Sequence, residues 1–268
     1  MVERCKQVDV DEIACLLDFG VDTKRIMDGL PLLKQVRDEA NRLADGTEGD
    51  IELDQSWAAQ VERHGITHFQ CTPSMARMLC FDQEARAQFP KLKQVMVGGE
   101  AFPLSLAKDL LGLVEGRLTN MYGPTETTIW STTHDVDGYD NIPIGRPIAN
   151  TQIYILDPNK QPVPPGVAGD LYISGEGVVR GYLNREELTQ QRFVPDPCKS
   201  AGSKMYWTGD LARYRDDGVI EFLGRVDHQV KIRGYRIELG EIEALLCQSE
   251  SVQESVLLLR EDNPGDQR

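Results

Sequence analysis

The sequence lacks any apolar run that approaches the roughly 18 residues of a membrane span. It is also short of basic residues, because 29 Lys and Arg stand against 43 Asp and Glu and give a formal net charge of −14. Like charges repel, so this balance disfavours nucleic acid and anionic membrane surfaces as partners. The first residues, Met1–Lys6, have no apolar core, and we therefore expect no signal peptide.

Cysteine pairs with CxxC spacing are also missing. The chain has six scattered cysteines: Cys5, Cys15, Cys71, Cys80, Cys198 and Cys247. This pattern favours reduced thiols in a cytoplasmic protein over a disulfide framework. His64 and His68 are four residues apart, but Gly65 and a strand-like run follow the first, so we interpret their spacing as fortuitous rather than as a metal site.

No glycine-rich phosphate loop is present either. Gly175, Gly177 and Gly181 have the wrong spacing for both nucleotide fingerprints, and no Gly-Lys-Ser/Thr follows them. We interpret them as turn glycines. Binding of ATP is not excluded, because a nucleotide site needs only local cations and a metal ion.

Strand and helix patterns alternate from about residue 54 to residue 122. This alternation predicts a parallel sheet with helices over it. The strand ends at Gln70, Gly98-Gly99 and Met121–Glu126 would then meet at one edge of the sheet, where open α/β sheets bind ligands. The predicted elements are a helix at 54–64 capped by Asp54, a strand at 66–70, a helix at 74–80 after Pro73, a strand at 92–97, a helix from Pro103 to about Val114 and a strand at 118–122.

The pattern of residues changes after Ile142. Short strands at 152–156, 170–174 and 219–223 are separated by turns rich in proline and glycine, which predicts a small β-subdomain. An aromatic run at Tyr206–Asp210 is expected to end in an acidic turn. Past Asp227, a strand at 229–233, a helix at 240–248 and a strand at 252–259 would begin an α+β domain.

The bend at residues 118–130 brings together side chains that suit a nucleotide. Gly123-Pro124 must break the strand pattern, and Tyr122, Thr125 and Glu126 flank this break. An aromatic ring can stack on a base, and a carboxylate oxygen can hold Mg²⁺ beside phosphates. From this stretch alone, a surface turn with a core tyrosine is an equally good interpretation.

Three ordered motifs extend this pattern: Asn-Met-Tyr-Gly-Pro-Thr-Glu at 120–126, Tyr-Trp-Thr-Gly-Asp-Leu at 206–211, and Gly224–Glu243. Over roughly residues 51–268 the chain resembles the adenylate-forming enzymes, most closely the adenylation domains of nonribosomal peptide synthetases. The resemblance implies a truncated α/β adenylate-forming fold. Its parts would be a parallel-sheet subdomain and a small β-subdomain within 47–226, and the start of an α+β C-terminal subdomain at 227–268.

The resemblance also implies a reaction. A carboxylate and ATP form an acyl-adenylate and pyrophosphate, and the acyl group then passes to the phosphopantetheine of a peptidyl carrier protein, with condensation domains as further partners. The motif matches imply a role for each residue. Tyr122 would stack on the adenine, Asn120 would hydrogen-bond the exocyclic amine of the adenine, Gly99 would lie close to the adenine ring, and Phe222 would be a second aromatic side chain against the adenosine. Glu126 would bind Mg²⁺, Thr125 would contact the phosphates, and Asp210 and Arg225 would hold the ribose.

Two further groups of residues follow from the same resemblance. Asp227 occupies the family's hinge position, and Lys231 and Gly234 match a loop that faces the active site in the thioester-forming state. The family's acyl-pocket positions fall on Gln70, Met96, Gly98, Met121, Ile129 and Trp130. Four of these six agree with the glycine-selecting pattern, and an indole with two methionines would leave space for little beyond Cα. We therefore expect glycine as the substrate.

Several family elements have no counterpart here. These are a phosphate loop with a lysine, the upstream acidic residue for the substrate's amino group, and the distal C-terminal lysine. We therefore expect a piece of a larger synthetase with little adenylation activity alone.

Residues 1–46 resemble the last strand and helix of a luciferase-like flavin monooxygenase barrel, with a linker at 44–50. This implies an FMN-dependent oxygenase upstream in the parent that acts on carrier-bound glycine, although this segment itself would bind no FMN. A helical arm packed on the next domain is the alternative for these residues.

Two interpretations of the remaining chain stay open. One is a non-catalytic, adenylation-like interaction module, and the other is an acyl-CoA ligase. Mg²⁺-dependent ATP affinity separates the first from an adenylating enzyme, and an assay with CoA separates the second.

Overall fold

The computed structural model describes residues 54–138, 141–199, 202–227, 229–232, 235–249 and 252–260. The strand, helices and linker predicted over residues 9–50 lie outside these ranges. The chain divides into two compact units, Met1–Gln55 and Ser56–Arg268, and every described helix and strand belongs to the second. Within the described residues, no helix is long and apolar enough to cross a membrane.

The second unit alternates strands and helices in its first half and is mostly strand in its second. Its helices are α1 (Trp57–His64), α2 (Pro73–Phe81), α3 (Gln83–Arg86), α4 (Leu104–Leu111), α5 (Glu186–Arg192) and α6 (Leu239–Leu246), with short 3₁₀ turns at Phe89–Lys91 and Thr125–Thr127. Its strands are β1 (His68–Cys71), β2 (Gln94–Gly98), β3 (Arg117–Tyr122), β4 (Thr132–Asp135), β5 (Arg146–Pro147), β6 (Thr151–Leu156), β7 (Gly169–Gly175), β8 (Phe193–Pro195), β9 (Lys204–Tyr214), β10 (Ile220–Arg225), β11 (Gln229–Ile232) and β12 (Tyr235–Glu238).

The first sheet has the strand order β1-β2-β3-β4-β5. β1, β2 and β3 are parallel, with Gln70 opposite Met96 and Gly98 opposite Met121. β4 returns antiparallel to β3. The predicted parallel sheet is therefore confirmed, and the carboxyl ends of its three parallel strands share one edge. The core against this sheet includes the fully buried Phe89, Leu92, Val95, Val97, Leu106 and Leu110.

The start of α1 differs from the prediction. Asp54 was expected to cap this helix, but the side chain of Ser56 accepts the hydrogen bond from the Ala59 backbone N–H at 3.2 Å. The helix begins later because its buried face starts at Ala58 and continues at Val61, so the capping position falls on the residue just before Trp57. The helix ends at Gly65 in the left-handed conformation.

The second sheet has the order β10-β9-β7-β6, with β8 paired to β9. The acidic turn predicted at Tyr206–Asp210 is wrong, because β9 runs on to Tyr214. Asp170 pairs with Leu211 and Tyr172 with Trp207, so residues 208–210 oppose a single residue of β7. This bulge explains why a glycine with a φ of 75° and an acidic residue stand inside a strand.

The last described elements are the β11–β12 hairpin and α6. A strand was predicted at 252–259, but the described residues 252–260 form no strand. Ser255 Oγ instead donates to the Glu243 carbonyl at 3.0 Å, and the Leu257 N–H donates to Glu243 Oε1 at 2.7 Å. Alternating apolar residues predict a strand only where another strand supplies the pairing, and none of the described segments does so here.

Candidate active site

The carboxyl end of β3 brings together three groups from distant parts of the sequence. The Tyr122 hydroxyl donates to Asp210 Oδ2 on β9, although the two residues are 88 positions apart. Arg225, at the end of β10, donates through Nη1 to Asp210 Oδ1 at 2.6 Å. Arg225 and Asp210 face each other in the β9–β10 register, so sheet pairing places this ion pair. Burial and the Asp210 carboxylate raise the pKa of the Tyr122 phenol well above its ordinary value, which keeps it a hydrogen-bond donor.

A cavity of about 450 Å³ opens beside these groups. Tyr122 and Phe222 line it with ring centroids 6.4 Å apart, and Gly99 adds a backbone with a φ of 90°. Asn120 is buried in its wall, where its Nδ2 donates to the Pro143 carbonyl at 2.7 Å. That bond uses the amide as a donor, so its carbonyl oxygen is the group suited to accept from a ligand amine.

A second cavity of about 240 Å³ adjoins the first. The two share Gly99, Tyr122, Gly123, Asp210 and Arg225 as lining residues. The second cavity is also lined by Thr125, Ile129 and Trp130. The two spaces are therefore neighbouring parts of one site at the edge where the parallel strands end.

The turn between β3 and β4 is strained where it meets the second cavity. Thr128 and Ile129 have φ values of 61° and 72°, in the left-handed region that β-branched residues avoid. The hydroxyl of Thr128 donates to the Gly177 carbonyl at 2.7 Å, which helps to hold this conformation. Backbone strain of this kind clusters at functional sites, because surrounding contacts must maintain it.

Two of the predicted acyl-pocket residues, Gln70 and Gly98, contact the indole of a third, Trp130. Trp130 Nε1 donates to Gln70 Oε1 at 3.3 Å. The indole lies against Gly98 so closely that a Cβ there would be 2.7 Å from its ring atoms and 2.4 Å from the Met121 carbonyl oxygen. Met121 lines the first cavity. Gln70, Met96 and Gly98 do not belong to the lining of the two cavities, and Met96 pairs with Gln70 across β1 and β2.

Glu126 is buried immediately after Thr125, in the 3₁₀ turn. Among the described residues, it does not belong to the lining of either cavity. Its Oε1 accepts a hydrogen bond of 2.6 Å from the Tyr182 hydroxyl. The described part of the chain contains no group of three or more metal-ligating side chains. A carboxylate oxygen suits Mg²⁺, so this site fits the ion only if phosphate oxygens and water complete its coordination.

The predicted hinge residue Asp227 is held by two arginines. Arg225 donates to its two oxygens at 2.6 and 2.7 Å, and Arg192 Nη2 lies 3.7 Å from Oδ2. Burial alone raises the pKa of the Asp227 carboxyl, but the hydrogen bonds and charge of Arg225 outweigh burial and lower it. Lys231 lies on β11 opposite Arg236, while its neighbours Gln229 and Val230 line the first cavity. Gly234 lies outside the described residues.

Two polar residues at the site, Tyr182 and Arg192, were missed from the sequence. Tyr182 contacts Glu126, and Arg192 contacts Asp227 while also lying 4.6 Å from the Trp207 ring centroid. The turn glycines around residue 181 were the available signal, since Gly181 adopts a φ of 144° directly before Tyr182. No residue spacing connects either side chain to the motifs.

Comparison with known proteins assigns most of the chain to one protein family. The family model described as "AMP-binding enzyme" matches residues 7–183. The match therefore includes residues 7–46, for which the sequence suggested a monooxygenase tail.

Curated relatives are large synthases. The dimodular nonribosomal peptide synthase of Bacillus subtilis (strain 168) is 47% identical over 216 residues, which cover 80% of this chain and 9% of that protein. Tyrocidine synthase 3 of Brevibacillus parabrevis is 50% identical over 186 residues, which cover 68% of this chain and 3% of that protein. The chain thus spans less than a tenth of the length of these two relatives.

Solved structures agree at the level of the fold. Holo-PA1221, an NRPS protein containing adenylation and PCP domains bound to a vinylsulfonamide inhibitor, has a TM-score of 0.71 and 32% identity over 76% of this chain and 36% of that chain. Holo-AB3403, a four-domain nonribosomal peptide synthetase bound to AMP and glycine, has a TM-score of 0.58 and 42% identity over 81% of this chain and 16% of that chain. The chain belongs to the AMP-binding enzyme family, in the branch formed by the adenylation domains of nonribosomal peptide synthetases.

Proposed function

We propose that this site binds ATP and glycine and forms glycyl-adenylate, which then passes to the phosphopantetheine of a carrier protein. The observation that carries the proposal is the convergence of Tyr122, Asp210 and Arg225 on two adjoining cavities. The larger cavity suits an adenosine, and the smaller one suits the reacting carboxylate and α-phosphate. The similar proteins support the proposal, since one is bound to AMP and glycine and another contains a PCP domain.

The first cavity supplies groups of the kinds that an adenosine needs. The base would lie against the Tyr122 ring, with the Asn120 carbonyl oxygen accepting from the exocyclic amine. Asp210 already accepts from Tyr122 and Arg225, but a carboxylate offers about four lone-pair sites, so it can also accept from ribose hydroxyls. Hydrogen bonds to a charged acceptor are about twice as strong as neutral ones.

The reaction joins two anions, so positioning and charge neutralisation supply most of the catalysis. The amino-acid carboxylate attacks the α-phosphorus, a new O–P bond forms, and the bond to the leaving pyrophosphate breaks. Thr125 and Arg225 line the smaller cavity and can donate hydrogen bonds there. A Mg²⁺ ion near Glu126 would neutralise phosphate charge.

Glycine is favoured because Trp130 fills the space that a larger substrate side chain would need. The indole packs on Gly98, and Ile129 and Trp130 both face the smaller cavity. A pocket discriminates by about 10- to 200-fold for each added methylene group. We therefore expect the order of affinity to be glycine, then alanine, then larger amino acids.

Binding of non-hydrolysable aminoacyl sulfamoyl adenosines to the full chain tests the proposal without requiring turnover. Calorimetry should show the glycyl analogue binding tightest and the phenylalanyl analogue weakest. Trp130→Leu should narrow this difference, whereas Trp207→Leu, which replaces an indole outside both cavities, should leave it unchanged. Preference for a larger acyl group in the unaltered chain would exclude glycine.

The two alternatives give different results in related assays. A non-catalytic interaction module would show no Mg²⁺-dependent ATP or AMP affinity. An acyl-CoA ligase would transfer an acyl group to free CoA. Equal ATP affinity in the unaltered chain and in Asp210→Asn would count against a nucleotide site at these cavities.

A further inference from the structure

The carboxylate of Glu126 is fixed by a tyrosine from a distant loop. Glu126 is 6% exposed, and its Oε1 accepts from the Tyr182 hydroxyl at 2.6 Å. A buried carboxylate is unfavourable unless it is hydrogen-bonded, and a phenol is a strong neutral donor to it. The contact therefore fixes the orientation of this side chain.

Tyr182 is itself held on several sides. Its ring packs edge-on against Phe193, with centroids 5.4 Å apart, and its hydroxyl lies 3.4 Å from that of the fully buried Tyr206. Its backbone N–H donates to Thr189 Oγ1 at 2.9 Å.

The loop that carries Tyr182 is attached to the bend that carries Glu126. The Val179 N–H donates to the Glu126 backbone carbonyl at 3.0 Å, and Thr128 Oγ1 donates to the Gly177 carbonyl at 2.7 Å. A Cβ on Gly177 would lie only 2.8 Å from the Thr127 carbonyl oxygen, so only glycine allows this approach. The loop and the bend therefore form one packed unit beside Thr125.

We propose that Tyr182 is a positioning residue, which orients the Glu126 carboxylate to bind Mg²⁺ beside the nucleotide phosphates. The inference rests on the proposed function, in which Glu126 is the metal ligand. Carboxylates that bind metals are hydrogen-bonded by outer partners, and loss of such a partner commonly costs about 10- to 100-fold in metal affinity. Tyr182 makes this kind of contact through a single hydroxyl, so one oxygen atom can be removed to test it.

The experiment compares Tyr182→Phe with Tyr214→Phe in the full chain. The first variant keeps the ring that packs on Phe193 and removes only the hydroxyl, which donates to Glu126 and lies near the Tyr206 hydroxyl. The second removes another partly buried hydroxyl, which donates to the Ile153 carbonyl at 2.9 Å away from the site. A fluorescent ATP analogue is held at constant concentration while Mg²⁺ is titrated, and its affinity is measured separately in EDTA.

For Tyr182→Phe we expect the half-saturating Mg²⁺ concentration to rise about 10- to 100-fold, with nucleotide affinity in EDTA unchanged. Tyr214→Phe should match the unaltered chain in both measurements. An unchanged or lower Mg²⁺ requirement in Tyr182→Phe overturns the inference, as does an equal loss of nucleotide affinity in EDTA, which would indicate general damage.

Glu126→Gln distinguishes failure of the inference from failure of the proposed function. If Glu126→Gln weakens Mg²⁺ binding and Tyr182→Phe does not, Tyr182 has no positioning role, and the metal assignment stands. If Glu126→Gln leaves the Mg²⁺ requirement unchanged, the metal assignment itself is wrong, whatever Tyr182→Phe does.

Discussion

Replacing Asp210 by Asn should affect both the stability of the chain and its affinity for nucleotides. The Asp210 carboxylate accepts from Tyr122 through one oxygen and from Arg225, at 2.6 Å, through the other. Only 7% of the Asp210 side chain and 15% of the Arg225 side chain are exposed, so solvent screens this pair weakly. The substitution removes the negative charge without changing the size of the side chain.

The expected cost follows from these contacts. A hydrogen bond to a charged group contributes about 1.5–3 kcal/mol, and Asn keeps one acceptor oxygen while turning an amide N–H₂ toward the other donor. Removing one partner of a buried ion pair costs about 3–5 kcal/mol, but Arg225 retains its two hydrogen bonds to Asp227. We therefore expect Asp210→Asn to lower the free energy of unfolding by about 2–4 kcal/mol.

Urea unfolding monitored by tryptophan fluorescence measures this loss, and calorimetry with AMP measures the binding defect. The matched control is Asp196→Asn. As whole residues, Asp196 and Asp210 are both 5% exposed, and Asp196 accepts from Ser174 but does not line either cavity. Asp196→Asn should destabilise the chain and leave AMP affinity unchanged. A change of less than about 0.5 kcal/mol in Asp210→Asn, with AMP affinity retained, would refute the reasoning.

Three further predictions concern a close backbone approach at Gly98, the titration of Asp227 and the reactivity of Cys71. Gly98→Ala should lower the free energy of unfolding by about 1–3 kcal/mol in urea unfolding, because the new Cβ would lie 2.4 Å from a backbone oxygen. Because the pKa of Asp227 is lowered in the folded state, ionised Asp227 stabilises the fold above about pH 4, and this contribution is lost as the pH falls through the folded-state pKa. In Asp227→Asn, the free energy of unfolding measured against pH should therefore fall less steeply at acid pH. Burial raises the pKa of the Cys71 thiol to about 12, so Cys71 should resist a thiol reagent at pH 8 that labels the exposed Cys198, as peptide mass spectrometry would show.

The sequence predicts the parallel sheet well, because alternating strands and helices leave few other topologies. The predictions from sequence are wrong where strand pairing or side-chain packing decides the local structure. Asp54 has the chemistry of a cap, but the buried face of α1 selects Ser56. The residues at 252–259 alternate as a strand would, but they form no strand pairing. Gly209 and Asp210 look like a turn, and only the pairing of β9 with β7 shows that they form a bulge.

Sheet register explains one contact between residues that the motifs predict. Asp210 and Arg225 belong to different motifs, yet they pair directly across β9 and β10, and the Arg225 guanidinium then joins Asp210 to Asp227. Tyr182 has no such register relation to Glu126, since it reaches the carboxylate from an irregular loop 56 residues further along the chain. A contact made by a loop depends on how that loop packs, and its residues carry no periodicity from which the contact could be predicted.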